Sequence, residues 1–214
     1  MNEVTETGSE DMPQSVWDRI EEARARHDVL QHPFYVRWSA GELTSEELAR
    51  YSGQYRHAVT AIAELSSQAA SELPDHPELA SHAGEEYAHV ALWDGFVDAV
   101  DGDSTAEPTA ETKACVEVWT TKDGALRALA RLYAIESGQP EIAKTKLEGL
   151  ADHYGVDSEV GTRYFTVHRG RDVEHAAEGR ELLEQLISSP ADEDAVAAAA
   201  EEAFAANWRL LDGV

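Results

Sequence analysis

One cysteine, four lysines and no apolar run of membrane-spanning length mark this chain of 214 residues. The lone Cys115 has no partner for an intramolecular disulfide, and it excludes a cysteine-based zinc site. The missing long apolar stretch excludes a transmembrane helix. The segment Met1 to Gln14 is polar and acidic, unlike a secretory signal with its basic start and apolar middle. A soluble, cytoplasmic protein is expected. Basic residues are scarce as a class: 17 Lys and Arg stand against 42 Asp and Glu, for a net charge of −25. Such a field repels phosphate backbones and anionic membrane surfaces, so neither nucleic acid nor membrane is expected as a partner.

What is present argues for a packed fold. Hydrophobic residues make up 43% of the chain, with five Trp and seven Tyr, which does not fit the disorder that extreme acidity otherwise suggests. Arginine exceeds lysine by 13 to four. A solvated acidic surface poor in lysine suits molar salt, where screening makes self-repulsion tolerable, so a halophilic source is expected.

Helix signals run through the chain. Residues 1–13 read as a disordered acidic leader. Ser15 with Asp18 forms a capping box for a first helix to about Val29, and His32-Pro33 breaks it. A short segment follows from Phe34 to Ala40. Thr44 with Glu47 then caps a long helix to about Leu73. Further helices are expected at about 78–100, 109–120, 123–137, 140–154, 158–187 and 190–211, with Pro140 opening the fourth of these. Phe204, Trp208 and Leu211 give the last helix one apolar face, which closes the bundle or meets a second copy; a homodimer is the expected state. No segment alternates with period two. The fold class is therefore all-α, a single-domain helical bundle of seven to eight helices over residues 14–214.

The chemistry gathers in three places. His168-x-x-x-Asp172-x-x-His175 puts two imidazoles and a carboxylate on one helix face, a donor set suited to iron, manganese or zinc. Glu86-x-x-His89 has the spacing used in carboxylate-bridged dinuclear bundle sites, and Glu85 could serve in place of Glu86. Glu136 ends an apolar stretch, where a carboxylate is costly to bury unless it binds a cation or a proton. Three imidazoles and three carboxylates fit a two-metal site, with carboxylates bridging. His82, seven residues before His89, shares its face and is a further candidate.

At these residues the sequence resembles the haem-oxygenase-like helical domains, which include TenA-type thiaminase II and pyrroloquinoline-quinone synthase C. The resemblance rests on His32-Pro-Phe-Tyr35, Trp38-Ser-Ala-Gly-Glu-Leu-Thr44, Tyr51-Ser-Gly-Gln-Tyr55 and the segment Ala134 to Lys146. It covers roughly residues 15–188 and is nearest to the CADD-like branch of dinuclear-iron oxygenases. That branch's metal motif is matched by His89, Glu136, His168, Asp172 and His175. Its first glutamate stands about seven residues before its first histidine; here that position is His82, so Glu85 or Glu86 takes over or the first metal shell is altered. The resemblance implies two iron ions (or iron and manganese), with O2 as co-substrate. It also implies p-aminobenzoate synthesis for folate from a small molecule or from the chain's own residues, with Tyr35 as ring source and Lys146 as nitrogen donor. Tyr51 and Tyr55 join Tyr35 as radical or substrate-positioning candidates.

Three other readings compete. A TenA-like hydrolase of thiamin breakdown products needs a nucleophilic thiolate, and Ala114-Cys115-Val116 reads as a core cysteine instead. A metal-free oxidase similar to pyrroloquinoline-quinone synthase C binds an anionic precursor, which Glu136 and Asp172 would repel. A DNA-binding regulator needs a basic face, and none is visible. The charge pattern carries a prediction of its own: dialysis into low-salt buffer should abolish the helical circular-dichroism signal. A signal that persists there would mark an ordinary acidic protein.

Overall fold

Ser15 and Thr44 start their helices in the same way. Each side chain accepts the backbone N–H three residues on, while Asp18 and Glu47 reach back to the capping residue's own N–H. In the computed structural model, which describes residues 14–214, these caps open α1 (Val16–Arg26) and α3 (Ser45–Glu72). The leader expected over 1–13 lies outside the described residues. Between them His32 caps the short α2 (Pro33–Ala40): its Nδ1 accepts the Phe34 N–H at 3.0 Å. The others are α4 (Pro77–Ala99), α5 (Ala110–Trp119), α6 (Ala125–Gly149), α7 (Glu159–Leu186) and α8 (Pro190–Asp212). The eight helices form an all-α architecture with no strand among the described residues.

One boundary differs from expectation. The helices anticipated at 123–137 and 140–154 are a single α6, with Pro140 in its interior. Proline there has no N–H to give to the Glu136 carbonyl and normally kinks or ends a helix. Burial on both sides of it overrides that local signal: Ile135, Glu136, Gln139, Ile142 and Ala143 all lie in the core. A π turn over Leu150–Tyr154 completes the segment.

The final helix puts its apolar face to use within the chain. α8 packs along α1, α5 and α6 and buries Val196, Ala200, Phe204, Leu210 and Leu211, so it closes the bundle. Its alanines let it come close to its neighbours, and Trp119 Nε1 donates across the gap to the Ala203 carbonyl at 3.2 Å. On the far side α3 packs on α4, α4 on α7 and α7 on α6. The helices carrying Glu86, Glu136 and His168 therefore meet in the middle of the protein.

Two glycines of α6 test this packing. A Cβ on Gly149 would overlap the indole of the fully buried Trp38, whereas on Gly138 its nearest neighbour is Ile142 Cδ1 at 3.7 Å. Gly149→Ala should destabilise by about 1–3 kcal/mol through overpacking. Gly138→Ala should be neutral or stabilise by up to about 1 kcal/mol through helix propensity. Thermal melts of the two variants check the opposite signs.

Candidate metal centre

Three helices aim seven ionisable side chains at one point. α4 presents His82, Glu86 and His89 at offsets of four and three, one face of one helix. α6 brings Glu136, and α7 brings His168, Asp172 and His175 at four and three again. All seven are buried. Their donor atoms form two tight groups, each within 4.8 Å: His82, Glu86, Glu136 and His175 in one, Glu86, His89 and His168 in the other. Glu86 belongs to both.

Distances inside the groups are those of converging donors. His89 Nδ1 is 3.0 Å from Glu86 Oε1, and His82 Nε2 is 2.8 Å from Glu136 Oε1 and 3.7 Å from Glu86 Oε1. The His82 and His175 rings lie 3.8 Å apart, and those of His89 and His168 lie 4.5 Å apart. Many donor atoms have no hydrogen bond despite this crowding. His168 Nε2, His175 Nδ1 and both oxygens of Asp172 are buried and unpartnered, and His82 Nε2 and Glu136 Oε1 have only each other. Orphaned buried polar atoms are rare in folded proteins and call for a ligand. His168 shows how the orphan is made: its Nδ1–H donates to the Tyr164 carbonyl at 2.7 Å, which leaves the Nε2 lone pair facing the cluster. Imidazoles that bind metals are oriented by this kind of outer hydrogen bond.

The proton affinities show the strain of this burial. Burial works against a charged His82, but Glu136 and Glu86 outweigh it and lift its pKa to about 10. Glu86 is likewise penalised by burial, yet the imidazoles of His82 and His89 hold it well below the usual carboxylate range. Burial raises Glu136 to about 7, and it raises Asp172 to about 9 with help from the Glu136 and Glu86 charges. His168 and His175 are driven down to about 4, chiefly by burial, and stay neutral. Neutral His168 and His175 and ionised Glu86 are in the forms that accept a cation, whereas His82, Glu136 and Asp172 must first give up a proton.

Of the six residues singled out for metal, Glu86, His89, Glu136, His168 and His175 fall in the two donor groups and His82 joins them; Asp172 is buried but belongs to neither group. The structure separates Glu85 from Glu86. Glu85 sits at the edge of the cluster, its Oε2 3.6 Å from His175 Nε2, and is held in a two-pronged pair with Arg171 at 2.8 and 2.9 Å. The other histidines have ordinary tasks: His32 caps α2, His57 Nε2 bonds the Ala106 carbonyl at 2.8 Å, and His153 Nε2 bonds the Ser39 carbonyl at 3.1 Å. Cys115 is fully buried and its thiol is pushed up by burial, so it is no thiolate nucleophile.

Beside the cluster lies a second buried feature. Lys146 is 1% exposed, with Nζ 4.6 Å from the ring centre of Tyr55, 5.2 Å from Phe165, 5.3 Å from Tyr51 and Trp93, and 5.8 Å from Tyr35. Burial pulls its pKa down to about 7. Tyr35 and Tyr51 touch through their hydroxyls at 3.4 Å, and burial raises both phenols well above their ordinary value. The cage and the cluster share a wall that the sequence reading missed. Trp93 packs on Tyr55 at 5.1 Å and on Tyr164 at 4.9 Å, and Tyr164 stacks on His168 at 3.9 Å. Tyr164 stands four residues before His168, and that shared helix face was the available signal.

Comparison with known proteins agrees with this geometry. Residues 49–208 match the model of a family described as iron-containing redox enzymes. The chain belongs to that family. As a redox enzyme of this family it resembles two relatives, each named 4-aminobenzoate synthase. The one from Chlamydia muridarum is 32% identical over 96% of this chain and 92% of its own length. That from Nitrosomonas europaea is 31% identical over 89% and 87%. Among solved structures, a domain with a heme oxygenase-like fold from Shewanella denitrificans superposes with a TM-score of 0.79 at 18% identity, covering 94% of this chain and 92% of that one. A TenA homologue from Pseudomonas syringae gives 0.80 at 16%, covering 92% and 89%. These likenesses establish the haem-oxygenase-like fold. Among the described residues no helix is long and apolar enough to cross a membrane.

The caged amine yields a pH prediction. A folded pKa of about 7 lies below the ordinary 10.5, so the fold disfavours the charged form. The resulting loss of stability is fully present below about pH 7 and fades as pH rises toward the unfolded value. Lys146→Met should therefore melt higher than the parent near neutrality, by up to about 5 kcal/mol, with the gap shrinking toward about pH 10. Melts across that range check both the sign and the closure.

Proposed function

We propose that this enzyme is a dinuclear-iron, or iron–manganese, oxygenase that makes 4-aminobenzoate from its own side chains. The observation that carries the metal part is the pair of buried donor groups joined at Glu86, each with an unpartnered imidazole nitrogen, His175 Nδ1 in one and His168 Nε2 in the other. One ion would be held by His82, Glu86, Glu136 and His175, the other by Glu86, His89 and His168, with Asp172 within reach of the cluster. Nitrogen and carboxylate donors without thiolate suit iron and manganese. When bound, the ions would supply the one-electron and O2 chemistry that side chains lack.

The chain's own residues prepare for this. Glu136 and Asp172 hold protons near neutrality and must release them to ligate, so ion binding and proton release are linked. Tyr164 and the Tyr164 carbonyl fix the His168 ring. Trp93, Phe165 and the tyrosines exclude water from Lys146, which keeps a large share of its amine neutral and nucleophilic at physiological pH. Tyr35 and Lys146 share that cage, as a ring source and a nitrogen donor would need to. The relatives named 4-aminobenzoate synthase support this choice of product. Tyr55 lines the cage and positions the amine.

Metal analysis after anaerobic Fe(II) loading tests the centre. The parent should hold about two ions per chain, and Glu85→Ala should keep both. His82→Ala and His168→Ala should each lose about half. Full occupancy in both histidine variants overturns the assignment. Tyr35→Phe and Lys146→Arg should retain metal but release no 4-aminobenzoate on exposure to O2. Intact mass of the parent chain should fall after the same exposure.

A further inference from the structure

A cavity of about 210 Å³ between α4, α6 and α7 leads from the surface to the cluster. Its floor is His82, Glu136 and His175; neither His89 nor His168 nor Asp172 lines it. This cavity therefore reaches one of the two donor groups. At the floor His175 Nδ1 is unpartnered on a side chain more than nine-tenths buried, and His82 Nε2 faces Glu136 Oε1 at 2.8 Å. Leu79, Leu129, Leu132 and Leu182 form much of the wall. The rim carries Glu78, Glu178 and Glu181, all exposed. Glu78 is held by His76 at 3.0 Å. The neighbouring cation, Arg180, is turned away from the rim toward Glu184 and the Trp17 ring.

Negative charge at a rim, an apolar wall and a floor of nitrogen and oxygen donors make a funnel for one kind of solute. Low-dielectric walls focus the field of the rim into the opening. An anionic metabolite meets the repulsion of the rim before it reaches anything else. A hydrated divalent cation is drawn in and exchanges its water for the floor donors. We propose that this cavity is the admission route for the divalent cations of the centre, with Glu178 and Glu181 as guiding carboxylates. Ions then reach the His89–His168 position by way of the His82–Glu136–His175 position. This rests on the metal reading of the cluster given above.

The test is the rate of Co(II) uptake by metal-free protein, followed by stopped-flow absorbance at the lowest salt that preserves the fold. Glu178→Gln/Glu181→Gln keeps the size of both side chains and removes their charge. A control with the same change of net charge, Glu64→Gln/Glu117→Gln, sits on exposed positions of α3 and α5. The rim variant should load roughly three- to tenfold more slowly, with unchanged final stoichiometry and a deficit that shrinks as salt is added. The control should load at the parent rate. Equal rates for rim variant and parent overturn the route. So does equal slowing in the control, which would make the overall field the cause. If the parent itself takes up no cobalt, the metal reading falls and the route with it.

Discussion

Removing ionisable groups from water is the constraint around which this molecule is organised. Glu86, Glu136, Asp172, four histidines and Lys146 lie buried within a helical bundle. An isolated buried charge costs several kcal/mol even after relaxation. The protein offsets part of this by opposing charges, with ionised Glu86 against His82, and part by neutralisation, with protons held on Glu136 and Asp172 and withheld from His168 and His175. Neither device satisfies the orphaned atoms. A bundle that tolerates so many of them is spending stability on a site, and the rest of the fold supplies the rigidity that keeps them converged.

That rigidity comes from aromatic packing and fixed ion pairs around the polar centre. Trp93 ties α4 to α3 through its hydrogen bond to the Ser52 carbonyl at 2.8 Å and packs on Tyr164 of α7. Buried Arg131 clamps Asp123 with two contacts of 2.6 Å and anchors the start of α6. Such contacts hold α4, α6 and α7 at the spacing the seven donors require. The same rings separate two chemistries that would otherwise cancel. An amine moved in among the carboxylates would pair with them and keep its charge. Behind Trp93 and Phe165 Lys146 has no such partner, and its proton becomes easy to lose.

How much of this could be read from the sequence depended on how far apart the partners stand in the chain. His168, Asp172 and His175 were legible because helix periodicity alone aligns them. Glu86 and Glu85 were not separable, since the residue that draws Glu85 outward is Arg171, 86 positions later. His82 was undervalued for a similar reason: its nearest partner, Glu136, lies on another helix. Pro140 misled because its local preference to end a helix is real and is overridden by burial on either side. The tyrosines of the Lys146 cage were visible as motif residues, but Trp93, Phe165 and Tyr164 were not singled out. The same rings are core packing and wall of the site, and no local pattern distinguishes the two.

The acidic surface and the proposed chemistry bear on each other. A charge of −25 opposes capture of an anionic metabolite from dilute solution, and the rim of the cavity adds to that opposition. An enzyme that had to collect an organic acid would be working against its own field. If the ring and the nitrogen come from Tyr35 and Lys146, nothing anionic has to enter. The species to be admitted are then divalent cations, which the field attracts, and O2, which it ignores. The proposed product is a carboxylate, and the same field would favour its departure. Self-derived donors thus resolve a conflict that an external anionic substrate would leave standing.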